Sequence, residues 1–332
     1  MNENGFRSYL INREIPAEQI EAHLLSAKDF ENYLFDQGRH GWEEPATRED
    51  FLDYSEHLIQ DGKNDYQTYL ALIRYAYFAK NDQVYLAILQ LLDGSEVMDN
   101  LYQKLTDELD EETRDRIFQS ETPPPFGTSS LQKSRFNQVI VERMISTLGE
   151  DGCKELLKNS LRDLPDEWYK GEREKYLACA NLDEFLQKKG DDFIAELEAI
   201  KNEGRLYFNQ KINDEVIAYV NQHPEIRQGE RQGNILYEAK IPYMTIEYLV
   251  EQDQAKKRYY YCHCPWARES LTKGETPVSA TFCNCSAGFH KKYWEMVFDQ
   301  PLEAEVIETV LNGDPWCRFA IYLPDGIVQQ NK

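Results

Sequence analysis

Gln228-Gly-Glu-Arg-Gln-Gly-Asn234 divides the chain into two characters. Upstream, apolar residues recur at helical spacing. Downstream, Ile235-Leu-Tyr237, Arg258-Tyr-Tyr-Tyr-Cys-His-Cys264 and Val278-Ser-Ala-Thr-Phe-Cys-Asn-Cys285 are rich in the β-branched and aromatic residues that strands favour. Two more strands are predicted over 302–310 and 316–323, with Asn312-Gly313-Asp314 as the turn between them. A helix is predicted over 287–298, with Phe289, Tyr293 and Val297 on one side. These readings add up to an α+β fold, in which a helical N-terminal region precedes a C-terminal domain with an antiparallel sheet and packed helices.

The helical region announces its own boundaries. Pro16 suits a first turn, and Ile20, Leu24, Ala27 and Leu34 follow at roughly helical spacing. Thr47 with Asp50 has the form of a capping box. Asn64 or Asp65 caps a helix in which Tyr66, Tyr69, Leu70, Ile73 and Tyr77 are expected to share the inward face, and Val84, Ile88, Leu91 and Leu92 carry the pattern to Gly94. Such a tyrosine stripe reads as packing area before it reads as a ligand wall. In Ser120-Glu-Thr-Pro-Pro-Pro-Phe-Gly-Thr-Ser-Ser130, three successive prolines stop a helix. Residues 120–133 are therefore expected as a semi-rigid linker between an acidic helical domain, 1–119, and an α+β domain, 134–332. Beyond it, Phe136, Val139, Ile140, Met144 and Leu148 predict an amphipathic helix ending near Gly149, with more helix around 151–163, 182–203 and 212–222.

The net charge of −22 argues against nucleic acid as a partner, because phosphate contacts need a basic face. Residues 1–130 hold 26 acidic against 11 basic side chains, read as a solvated surface or as a docking face for a basic protein partner. No long apolar run predicts membrane insertion. The opening Met1 to Arg7 has neither the basic nor the apolar region of a signal peptide, and a cytoplasmic location with reduced thiols is expected. Phosphate-loop, dinucleotide-binding, zinc-protease, serine-hydrolase and kinase signatures are missing.

Chemistry concentrates in the cysteines. Cys262 and Cys264 form one Cys-x-Cys pair, and Cys283 and Cys285 form another. On a strand each pair points to one side, with His263 on the other. Two such strands side by side place four thiolates around one ion, and zinc is the expected metal. Cys317, His263 and His290 are reserve ligands, while Cys153 and Cys179 fall in helical stretches and read as core. Small buried thiols packed in a sheet, or a redox or nucleophilic thiol beside a helix N-terminus and a cation such as Arg268, are the competing readings. A ligand pocket is expected among Tyr260, Trp266, Phe289 and Trp294, with Tyr260 on the strand face of Cys262 and Cys264. Arg268 and Lys273 are candidates for an anion contact or for surface ion pairing.

Cys285-Ser-Ala-Gly-Phe, then Trp294-Glu, Val306-Ile-Glu-Thr and Gly313-Asp-Pro-Trp-Cys-Arg-Phe-Ala-Ile resemble the ending of 4-vinyl-reductase-type small-molecule-binding domains. They also resemble that of L-2-amino-thiazoline-4-carboxylate hydrolase-like proteins. The resemblance covers about 230–324 and is closer still to bacterial proteins that carry paired Cys-x-Cys motifs. It implies an α+β ligand-binding fold. In zinc-binding members of the first group, Cys285, Glu308 and Cys317 match three ligand positions, and an intervening Cys of that pattern has no counterpart here. The expected function is a sensor-like small-molecule-binding protein with a structural zinc. A hydrolase-like enzyme for a small amide or thiazoline, and an acidic interaction module, are the alternatives.

Overall fold

Side-chain caps start most of the helices that periodicity predicts. The computed structural model describes residues 1–42, 46–159, 161–272, 275 and 277–328. In it, α1 (Glu3–Asn12) begins on Asn2 and α2 (Ala17–Asp36) follows Pro16. The reciprocal Thr47–Asp50 box opens α3 (Arg48–Gln60), Asp65 opens α4 (Tyr66–Phe78) and Asn81 opens α5 (Asp82–Leu92). Thr47→Ala should cost about 1 kcal/mol, read as a lower urea midpoint at unchanged slope.

Met1–Ser95 and Pro124–Lys133 form one unit; Glu96–Pro123 and Ser134–Lys332 form a second. The first is packed on aromatic side chains, among them Phe30, Phe51, Tyr54 and Tyr69. Helix α4 turns a different face inward from the one periodicity predicts. Tyr69, Leu72, Tyr75 and Ala76 are buried, whereas Tyr66 and Tyr77 are exposed. The buried tyrosines are the ones whose hydroxyls find partners: Tyr69 Oη meets Ser55 Oγ at 2.5 Å, and Tyr75 Oη accepts from the Asn2 amide at 3.1 Å. After the prolines, Phe126 packs edge-on against Tyr69 and the Gly127 carbonyl accepts from Ser55 Oγ at 2.8 Å. Gly127 has φ +89°, and a Cβ there would stand 1.9 Å from the Tyr69 hydroxyl.

In the second unit, α6 (Val97–Glu108), α7 (Glu111–Phe118) and α8 (Ser130–Lys158, bent at Gly149), the last from Ser134 onward, surround a core that includes Leu101, Phe118, Met144 and Trp266. Then come α9 (Lys170–Leu177), α10 (Leu182–Glu203), the β1 (Leu206–Tyr207) and β2 (Gln210–Lys211) hairpin, α11 (Asp214–Gln222) and α12 (Pro224–Arg227). The main sheet is antiparallel, in the order β3 (Glu230–Gln232), β4 (Ile235–Ala239), β6 (Arg318–Tyr322), β5 (Glu303–Glu308). Two short helices, α13 (Thr245–Val250) and α14 (Gln254–Tyr261), follow β4, and α15 (Asn284–Phe298) precedes β5. Leu236, Ala304, Phe319 and Ile321 line the sheet face that α15 covers with Trp294 and Val297. The protein is thus α+β, with a helical N-terminal region. Among the described residues, no helix is long and apolar enough to cross a membrane.

Two predicted strands are corrected. Arg258 to Tyr261 are helical, because Asp253 accepts from the Lys256 amide and starts α14; Cys262, His263 and Cys264 leave that helix as an irregular loop. Ser279 likewise caps a short 3₁₀ turn, Ala280–Cys283, that leads directly into α15. Local caps overrode a composition that favours strands.

Candidate thiol site

The two Cys-x-Cys pairs therefore converge without lying on strands. Cys262 ends α14, Cys283 ends the 3₁₀ turn, Cys285 sits in the first turn of α15 and Cys317 immediately precedes β6. Thr309, buried just after β5, ties two of these segments together. Its hydroxyl meets Cys283 Sγ at 3.0 Å and lies 3.9 Å from Cys317 Sγ. Cys262 packs with Tyr261 and Val310, and Cys264 and Cys317 lie against the same group. Cys264 and Cys285 also border the core that contains Trp266 and Phe282. All seven cysteines are free thiols.

Electrostatics records the same convergence. Burial pushes the Cys283 thiol well above its ordinary range, and the sulfurs of Cys317, Cys262 and Cys264 push it further, against the Thr309 hydrogen bond. Burial raises Cys262 in the same way, with Cys264 and Cys317 adding to it. Burial, with Cys285 alongside, raises Cys264 to about 11. Cys285 and Cys317 are raised by burial as well, and Lys240 opposes the rise at both. These thiols are protonated at neutral pH, which does not suit an activated nucleophile. A bound cation reverses that balance, because a coordinating thiol loses its proton. Among the described residues, no three His, Cys, Asp or Glu side chains already stand in joint reach of one ion.

The reserve ligands are engaged elsewhere, Cys317 excepted. His263 Nε2 donates to the Ile241 carbonyl at 2.5 Å. His290 Nδ1 faces Glu238 Oε2 at 2.7 Å. Glu308 accepts from the Trp316 indole nitrogen. Cys317 thus comes to the thiols without the Glu308 partner that the resemblance implied.

The expected pocket residues fall on different elements. Tyr260 is in α14, so it shares no strand face with Cys262 and Cys264. Trp266 and Trp294 are fully buried in two separate apolar cores. Phe289 is half-buried on α15 beside Lys240. Arg268 is only 2% exposed. Its guanidinium lies over the Tyr243 and Tyr259 rings at 4.2 and 5.5 Å, with Glu269 at 3.9 Å, so it is a buried cation beside the thiols. Lys273 lies outside the described residues. A cleft of about 570 Å³ opens on the Cys264–Cys285 side of this unit, lined by Asn159, Arg162, Asp163, Gly288, Lys291 and Lys292 among others; Arg162 acts on both thiols.

Sequence reasoning missed Thr309, Glu238 and Lys240. Glu238 had a legible signal, a carboxylate in phase with Leu236 on an otherwise apolar strand face.

A family model described as a family of unknown function (DUF6144) matches residues 244–328, a stretch that contains all five clustered cysteines. No curated protein and no solved structure matches the chain.

Proposed function

We propose that the second unit binds a small molecule beside a thiol site that takes zinc. The observation that carries this reading is the convergence of five cysteines from three separated stretches. Cys262, Cys264, Cys283 and Cys317 are the sulfurs that act on one another, and Cys285 adjoins Cys264. Four thiolates suit the tetrahedral preference of zinc, at about 2.3 Å each, once side-chain rotation closes them on the ion. A zinc held by four sulfurs has no open position for an activated water. The metal therefore holds the loop after α14, the start of α15 and the start of β6 together, and the ligand binds beside it. The likeness of residues 230–324 to small-molecule-binding domains supports the second half of the reading.

Metal analysis of protein purified from zinc-supplemented cells tests it. About one zinc per chain is expected. Cys283→Ser and Cys317→Ser should lower the content severalfold, while Cys285→Ser should leave it nearly intact. Folded protein without metal, and without affinity for added zinc, would sink the proposal. Equal losses in the Cys285 and Cys317 variants would replace the ligand set.

A further inference from the structure

A polar seam crosses the apolar interface between β4 and α15. Glu238 shares a sheet face with Leu236 and stands opposite Phe319, and Lys240 continues that alternation just past the strand. On α15, Ser286, His290 and Trp294 recur every fourth residue and so form one row. The rows meet side by side. Lys240 Nζ donates to Ser286 Oγ at 3.1 Å, and His290 Nδ1 bonds Glu238 Oε2 at 2.7 Å. Lys189 from α10 closes the far end, 3.4 Å from Glu238 Oε1 and 5.4 Å from the centre of the Trp294 ring.

Two of these groups keep unused bonding capacity. His290 Nε2 is buried and has no hydrogen-bond partner. Its Nδ1 faces a carboxylate and so carries the proton, which leaves Nε2 of the neutral ring as an acceptor. Burial favours that neutral ring, holding His290 below its ordinary range against the pull of Glu238, and Lys240 and Lys189 push the same way. Lys240 forms no ion pair with a described carboxylate. Its ammonium rests on Ser286 Oγ and near the Phe289 and Phe319 rings, at 5.5 and 5.9 Å. The His290 ring stacks on Phe319 at 4.6 Å, so the cation and the acceptor flank one aromatic floor. An unpaired buried acceptor is costly unless a partner completes it, and the half-buried ammonium beside it, with no described counter-charge, favours a partner that is an anion.

We infer that Lys240 and His290 form the polar end of the small-molecule site, and that its ligand is a small acid with an amino or hydroxyl group next to its carboxylate. The carboxylate meets the Lys240 ammonium and the neighbouring N–H or O–H donates to His290 Nε2. A plain carboxylate leaves the imidazole unpaired, and an amide leaves the ammonium uncompensated, so the two groups together select amino and hydroxy acids. This inference rests on the reading of the unit as a small-molecule binder, and it adds the ligand's class.

Equilibrium dialysis of the whole chain tests it. The mixture holds the twenty amino acids, lactate, glycolate and malate, with propionate and amino-acid amides as controls, each at about 1 mM, where a millimolar site half fills. At least one amino or hydroxy acid should be retained by the wild type and at least tenfold less by Lys240→Met and His290→Phe. Lys240→Arg should keep most of the retention, which separates lost charge from lost folding. Retention of nothing, retention of propionate to the same extent, or undiminished retention by Lys240→Met would overturn the inference. Zinc is measured on the same samples. Metal without retained acid removes this inference alone, and loss of both removes the reading beneath it.

Discussion

Glu238→Ala should cost about 3–5 kcal/mol, the range for removing one partner of a buried ion pair. Glu238 is 6% exposed on the sheet face that α15 covers, and it serves both Lys189 and His290. Without it, Lys189 keeps the Gln228 carbonyl at 3.0 Å but loses its counter-charge, and His290 loses the acceptor that fixes its tautomer. The pH dependence of stability tests the same group. Burial alone would raise the Glu238 carboxyl, but Lys189 and His290 hold it near about 2 instead of the ordinary 4.5. A depressed acid stabilises the fold above its unfolded value, and that contribution is lost as pH falls from 4.5 toward about 2. The distance between those values corresponds to roughly 3 kcal/mol. His290 works in the same direction. Its folded value lies below 6.5, so the unfolded chain takes up the proton first and stability begins to fall below that pH. Urea unfolding between about pH 3 and pH 4.5, in a His290→Phe background where only the carboxylate of the pair titrates, should therefore show stability falling with acid, and much less steeply once Glu238→Ala is added. A loss under about 1 kcal/mol, or parallel pH curves, would mean the seam carries little energy.

Much of the fold was legible because short-range chemistry agrees with tertiary packing. Thr47 and Asp65 cap helices where their side chains can reach an N3 amide, and the strand Glu303–Glu308 alternates between exposed and covered positions. Tyr259, Tyr260 and Tyr261 have strand propensity, yet Asp253 starts a helix and the Tyr261 hydroxyl finds the Lys240 carbonyl at 2.6 Å. The local Asp253 cap decided the matter over composition, and a partner about twenty residues away holds the helix in place. In α4 the buried face goes with distant partners, Ser55 in α3 and the amide of Asn2, the residue that caps α1.

The candidate site divides along similar lines. The paired cysteines drew attention by spacing alone, and the structure gathers them although the strands expected to carry them are absent. Cys317 joined through Thr309, a neutral residue with no motif. The seam was hidden for another reason. Glu238 and Lys240 are two apart on one element and Ser286, His290 and Trp294 four apart on another, so each row obeys its own period. Their meeting is set by how α15 lies on the sheet, which neither period states.

The seating of α15 also makes Gly288 the position where fold and site can be disturbed together. A Cβ at Gly288 would stand 2.4 Å from the Lys158 carbonyl oxygen and 2.9 Å from its carbon. Those atoms are backbone at the end of α8, so no side chain can swing aside. Alanine improves helix propensity by about 1 kcal/mol, but overpacking against fixed atoms costs about 1–3 kcal/mol and here is expected at the top of that range. Gly288→Ala should therefore lower stability by about 2 kcal/mol net, read from urea unfolding. The displacement should reach the thiols, because Cys285 lies one turn earlier on the same helix and bonds to the Leu161 backbone beyond α8. Faster labelling of Cys285 by a soluble thiol reagent is expected alongside the lost stability. Thr281→Ala, at a buried position in the turn before α15 and without the clash against α8, serves as the comparison and should destabilise without the same gain in Cys285 labelling. If Gly288→Ala is as stable as the wild type, the close approach of α15 to α8 is not what positions the thiols.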